Sequence, residues 1–277
     1  MPYITNKAGG LGNEVKIYYE DAGTGKPVVL IHGWPLSGAM WEYQVADLTA
    51  AGYRCITYDR RGFGKSERPW TGYSYDILAS DLKALLEELR LTDVTLVGFS
   101  MGGGEVARYL GIYGSAGISK AVLLSSVTPF MLQTDDNPDG VEAETFAGIA
   151  REIQTDRQAF LQGFSKKFYG VGFLSNPVSN AQLDYDFSIA SCASPKATLD
   201  CATSFSQTDF RADVTGIDIP VLIIHGDADE TVPIAASGNK TAGLLPQAIY
   251  IVYEGSPHGL FITDRERLAN DLVNFIG

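Results

Sequence analysis

A serine between two glycines is the strongest chemical signal in this chain of 277 residues. It lies in Gly98-Phe99-Ser100-Met101-Gly102, after the apolar run 94–97 and before a helical stretch over residues 103–113. A serine in a strand-to-helix turn adopts a strained backbone conformation, and only small residues two positions before and after it leave room for that turn. The pattern predicts that Ser100 is a nucleophile; a purely structural glycine-rich turn is the alternative.

A serine nucleophile requires a base, and the chain has only three histidines. His32 and His225 each end an apolar, strand-like run, which is typical of histidines that pack or bind loops. His258 lies in the turn-rich segment 254–259, between a strand pattern and the final amphipathic helix. We therefore predict that His258 is the base that takes the proton of Ser100.

A carboxylate that orients this histidine is expected between the serine and the histidine in hydrolase order. The segment after His225 offers Asp227, Asp229 and Glu230. We predict Asp229, because it lies deeper in the loop and ordered structure restarts soon after it at residues 232–233. Asp227 is expected to cap the turn with its side chain, and Glu230 is expected to face solvent.

Acyl transfer also needs two N–H donors aimed at the developing oxyanion. Met101 follows the nucleophile at a helix N-terminus and is one predicted donor. Trp34, in the loop after an early strand, is the other; Pro35 has no N–H to give. Taken alone, this loop could equally be a tight turn that buries an aromatic ring.

These features resemble the α/β-hydrolase superfamily and, more narrowly, the bacterial cofactor-free haloperoxidases, arylesterases and perhydrolases, to which some γ-lactamases are similar. The resemblance runs almost end to end. Its marks are His32-Gly33-Trp34-Pro35-Leu36, Tyr58-Asp59-Arg60-Arg61-Gly62-Phe63-Gly64-Lys65-Ser66, Gly98-Phe99-Ser100-Met101-Gly102-Gly103-Gly104-Glu105, Thr208-Asp209-Phe210-Arg211, Asp227-Ala228-Asp229 with Val232-Pro233, and Pro257-His258-Gly259. It implies an α/β fold with a mostly parallel eight-stranded sheet flanked by helices, a helical cap, the triad Ser100, Asp229 and His258, and the oxyanion donors Trp34 and Met101.

The resemblance also implies hydrolysis of small carboxylic esters through an acyl-enzyme, with no haem, metal or other cofactor. Hydrogen peroxide would compete with water and give a peracid, which oxidises halide in solution. Pro35 is one expected determinant, because the bond before a proline constrains where the Trp34 carbonyl points and that carbonyl could bind peroxide. The alternative is a structural role, in which Pro35 only stiffens the loop.

Two other functions stay open at this stage. A γ-lactamase or amidase would use the same triad, and a non-catalytic binding protein could keep the fold without the chemistry. Ser100 at the turn argues against the epoxide hydrolases and dehalogenases of similar fold, which rely on a carboxylate nucleophile. A protein that had lost catalysis would usually lack one of the three triad residues, and this chain lacks none.

Composition restricts partners and location. The net charge of -12, from 33 acidic and 21 basic residues, argues against nucleic acid and anionic membranes as partners. No apolar run of spanning length and no basic-then-apolar leader in residues 1–6 are present, so a cytoplasmic location is expected.

Three cysteines without metal-ligand spacing are interpreted as reduced, mostly buried thiols. Similar proteins often self-associate, which leaves a homo-oligomer open.

Strand and helix patterns alternate as in parallel βαβ units. Apolar, β-branched runs predict strands at residues 28–31, 54–58, 94–97, 121–124, 221–224 and 248–253. Residues 75–90 predict a surface helix packed on the sheet, and residues 15–19 predict an antiparallel edge strand. Asp59, Arg60 and Arg61 are expected in a buried ion-paired loop, and Glu105 is expected to be structural.

The alternation stops between residues 127 and 218, where helical, aromatic-rich segments predict a cap over the active site. The expected division is therefore a hydrolase core at residues 1–126 and 219–277 and a cap at residues 127–218. Cap aromatics predict an apolar pocket suited to hydrophobic or aryl acyl groups. The predicted pocket residues are Pro35, Val127, Phe130, Phe146, Phe164 and Thr231. Phe160, Phe168 and Phe173 are further aromatic residues of the predicted cap.

Overall fold

The computed structural model describes residues 2–7 and 14–277, so Met1 of the N-terminal segment lies outside the described residues. These residues form one eight-stranded sheet in the order β1-β2-β4-β3-β5-β6-β7-β8. Its strands are β1 (Tyr3–Asn6), β2 (Val15–Gly23), β3 (Pro27–Ile31), β4 (Arg54–Tyr58), β5 (Val94–Phe99), β6 (Ile118–Leu124), β7 (Val221–Gly226) and β8 (Ile249–Tyr253). Strands β3 to β8 pair in parallel, which confirms the expected mostly parallel sheet.

The prediction of an edge strand at residues 15–19 is half correct. Strand β2 is antiparallel to β4, but β1 pairs with its other side and forms the edge of the sheet. Strand β1 has only four residues, and of these only Ile4 is a buried apolar side chain. So short a segment gives no periodic hydrophobic signal, and for that reason the sequence does not reveal it.

The core lies in two layers, one on each face of the sheet. Val29 and Ile31 of β3 face one cluster, while Val28 and Leu30 face the other, as the alternation of side chains along a strand requires. The first layer is covered by α2 (Tyr75–Glu88) and α3 (Met101–Tyr113). The second is covered by α1 (Glu42–Ala50), which follows a short 3-10 helix at Gly38–Trp41, and by α10 (Arg265–Ile276).

Four helices lie between β6 and β7, where the strand pattern of the sequence stops. They are α4 (Ala143–Phe168), α5 (Asn180–Ser191), α6 (Pro195–Gln207) and α7 (Arg211–Thr215). Helix α4 packs against both α5 and α6. It is kinked at Asp156, whose backbone leaves the helical region and whose Oδ1 accepts from the Ala159 N–H. The kink divides α4 into two halves with different surroundings.

Two short helices complete the fold: α8 (Gly238–Leu244) follows β7, and α9 (Leu260–Thr263) follows β8. The loops that leave the carboxyl ends of β3, β5, β7 and β8 carry Trp34, Ser100, Asp229 and His258. Because carboxyl ends of parallel strands meet at one edge of a sheet, residues far apart in sequence converge there. That edge is where a site is expected.

The cysteines are free thiols, as predicted, although one of them is not buried. Cys55 and Cys201 are buried and Cys192 is exposed. Burial raises the pKa of Cys55 and of Cys201 to about 12, so neither is a reactive thiolate at neutral pH. Among residues 2–7 and 14–277, no helix is both long and apolar enough to cross a membrane.

Candidate active site

Ser100 lies in a sharp turn between β5 and α3. Its φ of 53° and ψ of -116° are strained for a residue with a side chain. The turn is crowded, since a Cβ on Gly98 would lie 2.4 Å from the Gly102 carbonyl oxygen and one on Gly102 would lie 2.4 Å from the Ile31 oxygen. Both positions therefore require glycine, as predicted from the sequence.

A chain of hydrogen bonds joins the three predicted catalytic side chains. His258 Nε2 lies 2.9 Å from Ser100 Oγ, and His258 Nδ1 lies 2.6 Å from Asp229 Oδ2. All three residues are buried. Because a carboxylate can only accept, Nδ1 carries the hydrogen, which leaves Nε2 free to accept from the serine hydroxyl.

The Asp229 carboxylate is held by backbone as well as side-chain donors. Its Oδ1 accepts from the N–H groups of Thr231 at 2.9 Å and Val232 at 2.8 Å. Burial alone would raise the pKa of Asp229, but His258 and His225 beside it hold the pKa below its ordinary value. The group is therefore an anion throughout the neutral range.

The other two acids of this loop lie elsewhere, as expected. Asp227 is exposed, and its Oδ1 accepts from the Gly255 N–H at 2.6 Å, so it ties two loops together. Glu230 is exposed at the margin of the cavity described below. Of the three acids in this loop, only Asp229 contacts the imidazole of His258.

Two aromatic rings fix the imidazole of His258. Phe99 of β5 lies 4.9 Å from it between ring centroids, and Phe168 at the end of α4 lies 4.8 Å away in an edge-on arrangement at 87°. The backbone adds a further link, since the Gly259 N–H donates to the Phe168 carbonyl at 2.8 Å. The histidine loop is thus packed directly against a helix of the segment between β6 and β7.

The two predicted oxyanion donors lie in the turn after β5 and in the loop after β3. Met101 is the first residue of α3, where backbone N–H groups have no acceptor within the helix and carry the positive end of its dipole. Trp34 follows β3, and its indole Nε1 donates to the Thr198 carbonyl at 2.9 Å, which anchors this loop to α6. The Trp34-Pro35 bond is cis.

A cavity of about 880 Å³ reaches Ser100. Four of the predicted pocket residues line it, together with Trp34: Val127, Phe146, Phe164 and Thr231. Sequence reasoning did not assign several others to the wall: Met131, Ile149, Phe160, Phe205 and Val232. Phe160 and Phe164 are four residues apart in a helix, a spacing that could have paired them, but Met131 and Phe205 carry no comparable signal.

Two predicted pocket residues lie outside this lining. Phe130 is buried beneath the Arg211 guanidinium, 5.2 Å from its ring centroid, and so it packs in the protein rather than on the cavity wall. Pro35 instead lines a second, much smaller cavity with Phe168 and Phe187, and Phe164 borders both cavities. The cap ring Phe173 is fully exposed and contributes to neither wall.

A buried ionic network adjoins the loop after β3. Arg60 pairs with Glu105 of α3, and its Nη2 donates to the His32 carbonyl at 2.7 Å. The Arg60 N–H donates to His32 Nε2 at 2.9 Å, and the Tyr58 hydroxyl donates to Glu105 at 2.6 Å. The structural roles predicted for His32 and Glu105 are confirmed, and burial with the nearby Arg60 lowers the pKa of His32 so that it stays neutral.

The expected ion-paired loop is correct for two of its three members. Arg61 pairs with Asp81 at 2.6 Å in the interior, as Arg60 does with Glu105. Asp59 does not pair with either arginine; its oxygens accept from the N–H groups of Gly38 and Lys65. Backbone N–H groups can satisfy the oxygens of a buried carboxylate in place of a cation, and sequence alone cannot distinguish the two arrangements.

Comparison with known proteins gives consistent matches. Residues 26–265 match the family described as alpha/beta hydrolase fold. The chain is 42% identical to the non-heme chloroperoxidase CPO-A1 of Kitasatospora aureofaciens, over all of this chain and 99% of that protein. It is 38% identical to the bifunctional esterase/perhydrolase DCH of Acinetobacter calcoaceticus, with the same coverage. The crystal structure of a bromoperoxidase from Bacillus anthracis superposes with a TM-score of 0.95 at 50% identity, covering 99% of each chain.

Proposed function

The chain belongs to the α/β-hydrolase family, and we propose that it is a serine hydrolase that cleaves small carboxylic esters through an acyl-enzyme. The observation that carries this proposal is the hydrogen-bonded series Ser100, His258 and Asp229, which reaches a cavity at the strained turn after β5. Relatives named as esterase, perhydrolase and non-heme haloperoxidase support the same class.

In the proposed reaction His258 Nε2 takes the hydroxyl proton as Ser100 Oγ attacks the ester carbonyl carbon. The N–H groups of Met101 and Trp34 stabilise the negative charge that develops on the carbonyl oxygen. His258 then gives its proton to the departing alkoxide, so an alcohol leaves and the acyl group stays on Ser100. Asp229 keeps the imidazole oriented and stabilises the imidazolium form throughout.

The acyl-enzyme can be released by either of two nucleophiles. Water gives the carboxylic acid, whereas hydrogen peroxide gives a peracid; both restore the Ser100 hydroxyl. The peracid then oxidises a halide ion in solution, and with one proton this yields the carboxylic acid and a hypohalous acid. Haloperoxidase activity then needs no metal or haem, which fits the names of the relatives.

Residues 127–218 act as a cap in this proposal. Helices α4 and α6 supply the aromatic wall opposite Ser100, where Trp34 contacts Phe164 and Phe205 at centroid distances of 5.2 and 5.5 Å. Apolar walls of this kind favour hydrophobic or aryl acyl groups. Pro35, next to the Trp34 carbonyl, is proposed to affect the choice between peroxide and water.

Active-site labelling tests the proposal. A fluorophosphonate reagent is expected to modify Ser100 alone, and Ser100→Ala is expected to lower the hydrolysis of aryl esters by about a million-fold. Ser188→Ala, on the exposed side of α5, is the matched control and should retain full activity. Labelling at another residue, or hydrolysis that persists in Ser100→Ala, would contradict the assignment.

The same assays repeated with hydrogen peroxide test the second nucleophile. Peracid is measured by the oxidation of bromide, alongside the release of alcohol from the ester. Peracid formation is expected to require Ser100, and Pro35→Leu is expected to change the ratio of peracid to carboxylic acid. An unchanged ratio would remove Pro35 from the proposal and leave the esterase assignment intact.

A further inference from the structure

A second histidine contacts the acid of the triad. We infer that His225 is a positioning residue, which fixes the Asp229 carboxylate through its Nε2–H and thereby sets the orientation of His258. This inference rests on the proposed function, because it assigns His225 a part in the same site. His225 itself is fully buried, and it lies outside the lining of the cavity that reaches Ser100.

The position of the hydrogen on His225 follows from its neighbours. Nε2 lies 2.9 Å from the Val232 carbonyl oxygen and 3.2 Å from Asp229 Oδ2. Both neighbours are acceptors only, so the hydrogen is on Nε2, which bonds to the Val232 carbonyl and lies within ion-pair distance of Asp229 Oδ2. The ring N–H is therefore directed at Oδ2, whereas the backbone N–H groups of Thr231 and Val232 donate to Oδ1.

The other ring nitrogen of His225, Nδ1, is buried and has no hydrogen-bond partner among the described residues. Gly238, the first residue of α8, lies flat against this side, and a Cβ there would be 2.9 Å from Nδ1. A hydrogen on Nδ1 would be buried without an acceptor, so the N–H that the ring offers is the one on Nε2. A donor directed at Oδ2 restrains the carboxylate that orients His258.

Asp229 thus has four donors, two on each oxygen. Oδ1 accepts from Thr231 and Val232, while Oδ2 is shared by His258 and His225. Without His225 the Oδ2 atom would face His258 alone, and only the two backbone donors on Oδ1 would restrain the other side of the carboxylate. Its negative charge would also be less well compensated, and it would hold the proton on the imidazole more strongly.

The charges around this cluster are few. On the same loop, Asp227 is exposed and bound to Gly255, and Glu230 is exposed at the margin of the cavity. From the other elements packed against His258, β5 presents Phe99 and Ser100, and α4 presents Phe168. None of these groups can replace the donor that His225 directs at Asp229 Oδ2.

The test compares His225→Met, which keeps volume without a donor, with His225→Gln, whose amide N–H can occupy the place of Nε2. In His225→Met we expect kcat for an aryl ester to fall about ten- to hundredfold, as for the loss of a hydrogen bond to a charged group, with KM unchanged. The acid limb of kcat/KM should move to higher pH. His225→Gln should restore a large part of both.

The pH dependence of fluorophosphonate labelling is a readout that needs no substrate. Active enzyme is counted by the label, so kcat refers only to folded sites. If Ser100→Ala still takes the label, the proposed function fails. If Ser100 is labelled normally but His225→Met keeps the wild-type kcat and acid limb, only this inference is overturned, even where the variant is less stable to heat.

Gly238→Ala provides the second route should His225→Met fail to fold. Its methyl group would press on the His225 ring, and the same decrease in kcat and the same upward shift of the acid limb are expected. Gly243→Ala, in the same helix with no atom within 4 Å of the added Cβ, is the matched control and should behave as wild type. Equal behaviour of the two alanine variants would overturn the inference.

Discussion

At the scale of single residues, two aspartates two positions apart have different environments. Asp229 is buried with four donors around it, and Asp227 is exposed with one backbone donor. Their chemical type is identical, so the difference lies in which strand end and which loop each one faces. The loop after β7 turns Asp229 inward and leaves Asp227 on the surface.

Replacing each aspartate with asparagine separates these two roles. In Asp229→Asn an amide N–H faces His258, which favours the wrong imidazole tautomer, and kcat is expected to fall by about four orders of magnitude. Asp227→Asn keeps an acceptor for the Gly255 N–H and should remain within about tenfold of wild type. Steady-state hydrolysis of an aryl ester measures both, and losses of equal size would contradict the assignment of the acid.

The triad could be predicted because its members follow local rules. Ser100 lies in a glycine pattern, His258 in a turn-rich loop, and Asp229 between them in hydrolase order. The contact of His225 with Asp229 could not be predicted, because a histidine that ends a buried strand looks the same whether it packs or donates. Phe130 was placed on the pocket wall for a related reason, since spacing does not give the direction in which a loop side chain points.

At the scale of elements, α3 approaches the sheet unusually closely at its first turn. The Gly102 Cα lies against the carbonyl of Ile31 at the end of β3, so the turn after β5 and the loop after β3 are held together. This contact joins the turn that carries Met101 to the loop that carries Trp34. Any side chain at position 102 must push the helix away from the strand.

Gly102→Ala tests how much this approach contributes. The added Cβ would lie 2.4 Å from the Ile31 oxygen, and we expect a loss of about 1–3 kcal/mol in the free energy of unfolding, with a clear decrease in kcat. Gly243→Ala, in open space within α8, should instead gain about 0.5–1 kcal/mol. Urea denaturation and ester hydrolysis are the measurements; a stable and fully active Gly102→Ala would refute the close-contact argument.

Strong periodic segments were predicted well and short ones were not. The strand at residues 54–58 agrees with the structure end to end, and the helix predicted over residues 75–90 is two residues shorter at its C-terminal end. Strand β1 was missed because four residues cannot show a period, and it displaces β2 from the edge. Tertiary pairing, rather than propensity, decides which strand lies outermost.

At the scale of the whole molecule, burial of the triad links catalysis to stability. The pKa of Asp229 is lowered in the folded protein, where His258 and His225 overcome the opposing effect of burial. A depressed carboxyl pKa stabilises the fold at pH values above the unfolded pKa, about 3.9, and that contribution is lost as the pH falls toward the folded value. The native state therefore gains from this group at neutral pH.

Comparing wild type with Asp229→Asn over pH isolates this contribution. The difference in their free energies of unfolding is expected to be largest between pH 5 and 7 and to shrink as the pH falls below about 4. Urea denaturation at each pH gives the two values, and the other acidic residues cancel in the difference. A difference that stays constant from pH 7 to pH 3 would be incompatible with a depressed carboxyl pKa.

The bend in α4 at Asp156 has a practical consequence for anyone redesigning this protein. Before the bend, Phe146 and Ile149 line the cavity and have no contact with His258, whereas after it Phe164 borders the cavity and Phe168 packs on the imidazole of His258. Mutagenesis of the first half can broaden the range of accepted acyl groups while leaving proton transfer alone. Substitutions in the second half will change both the range of accepted acyl groups and proton transfer by His258. Selection for a new substrate there will therefore also change the turnover rate.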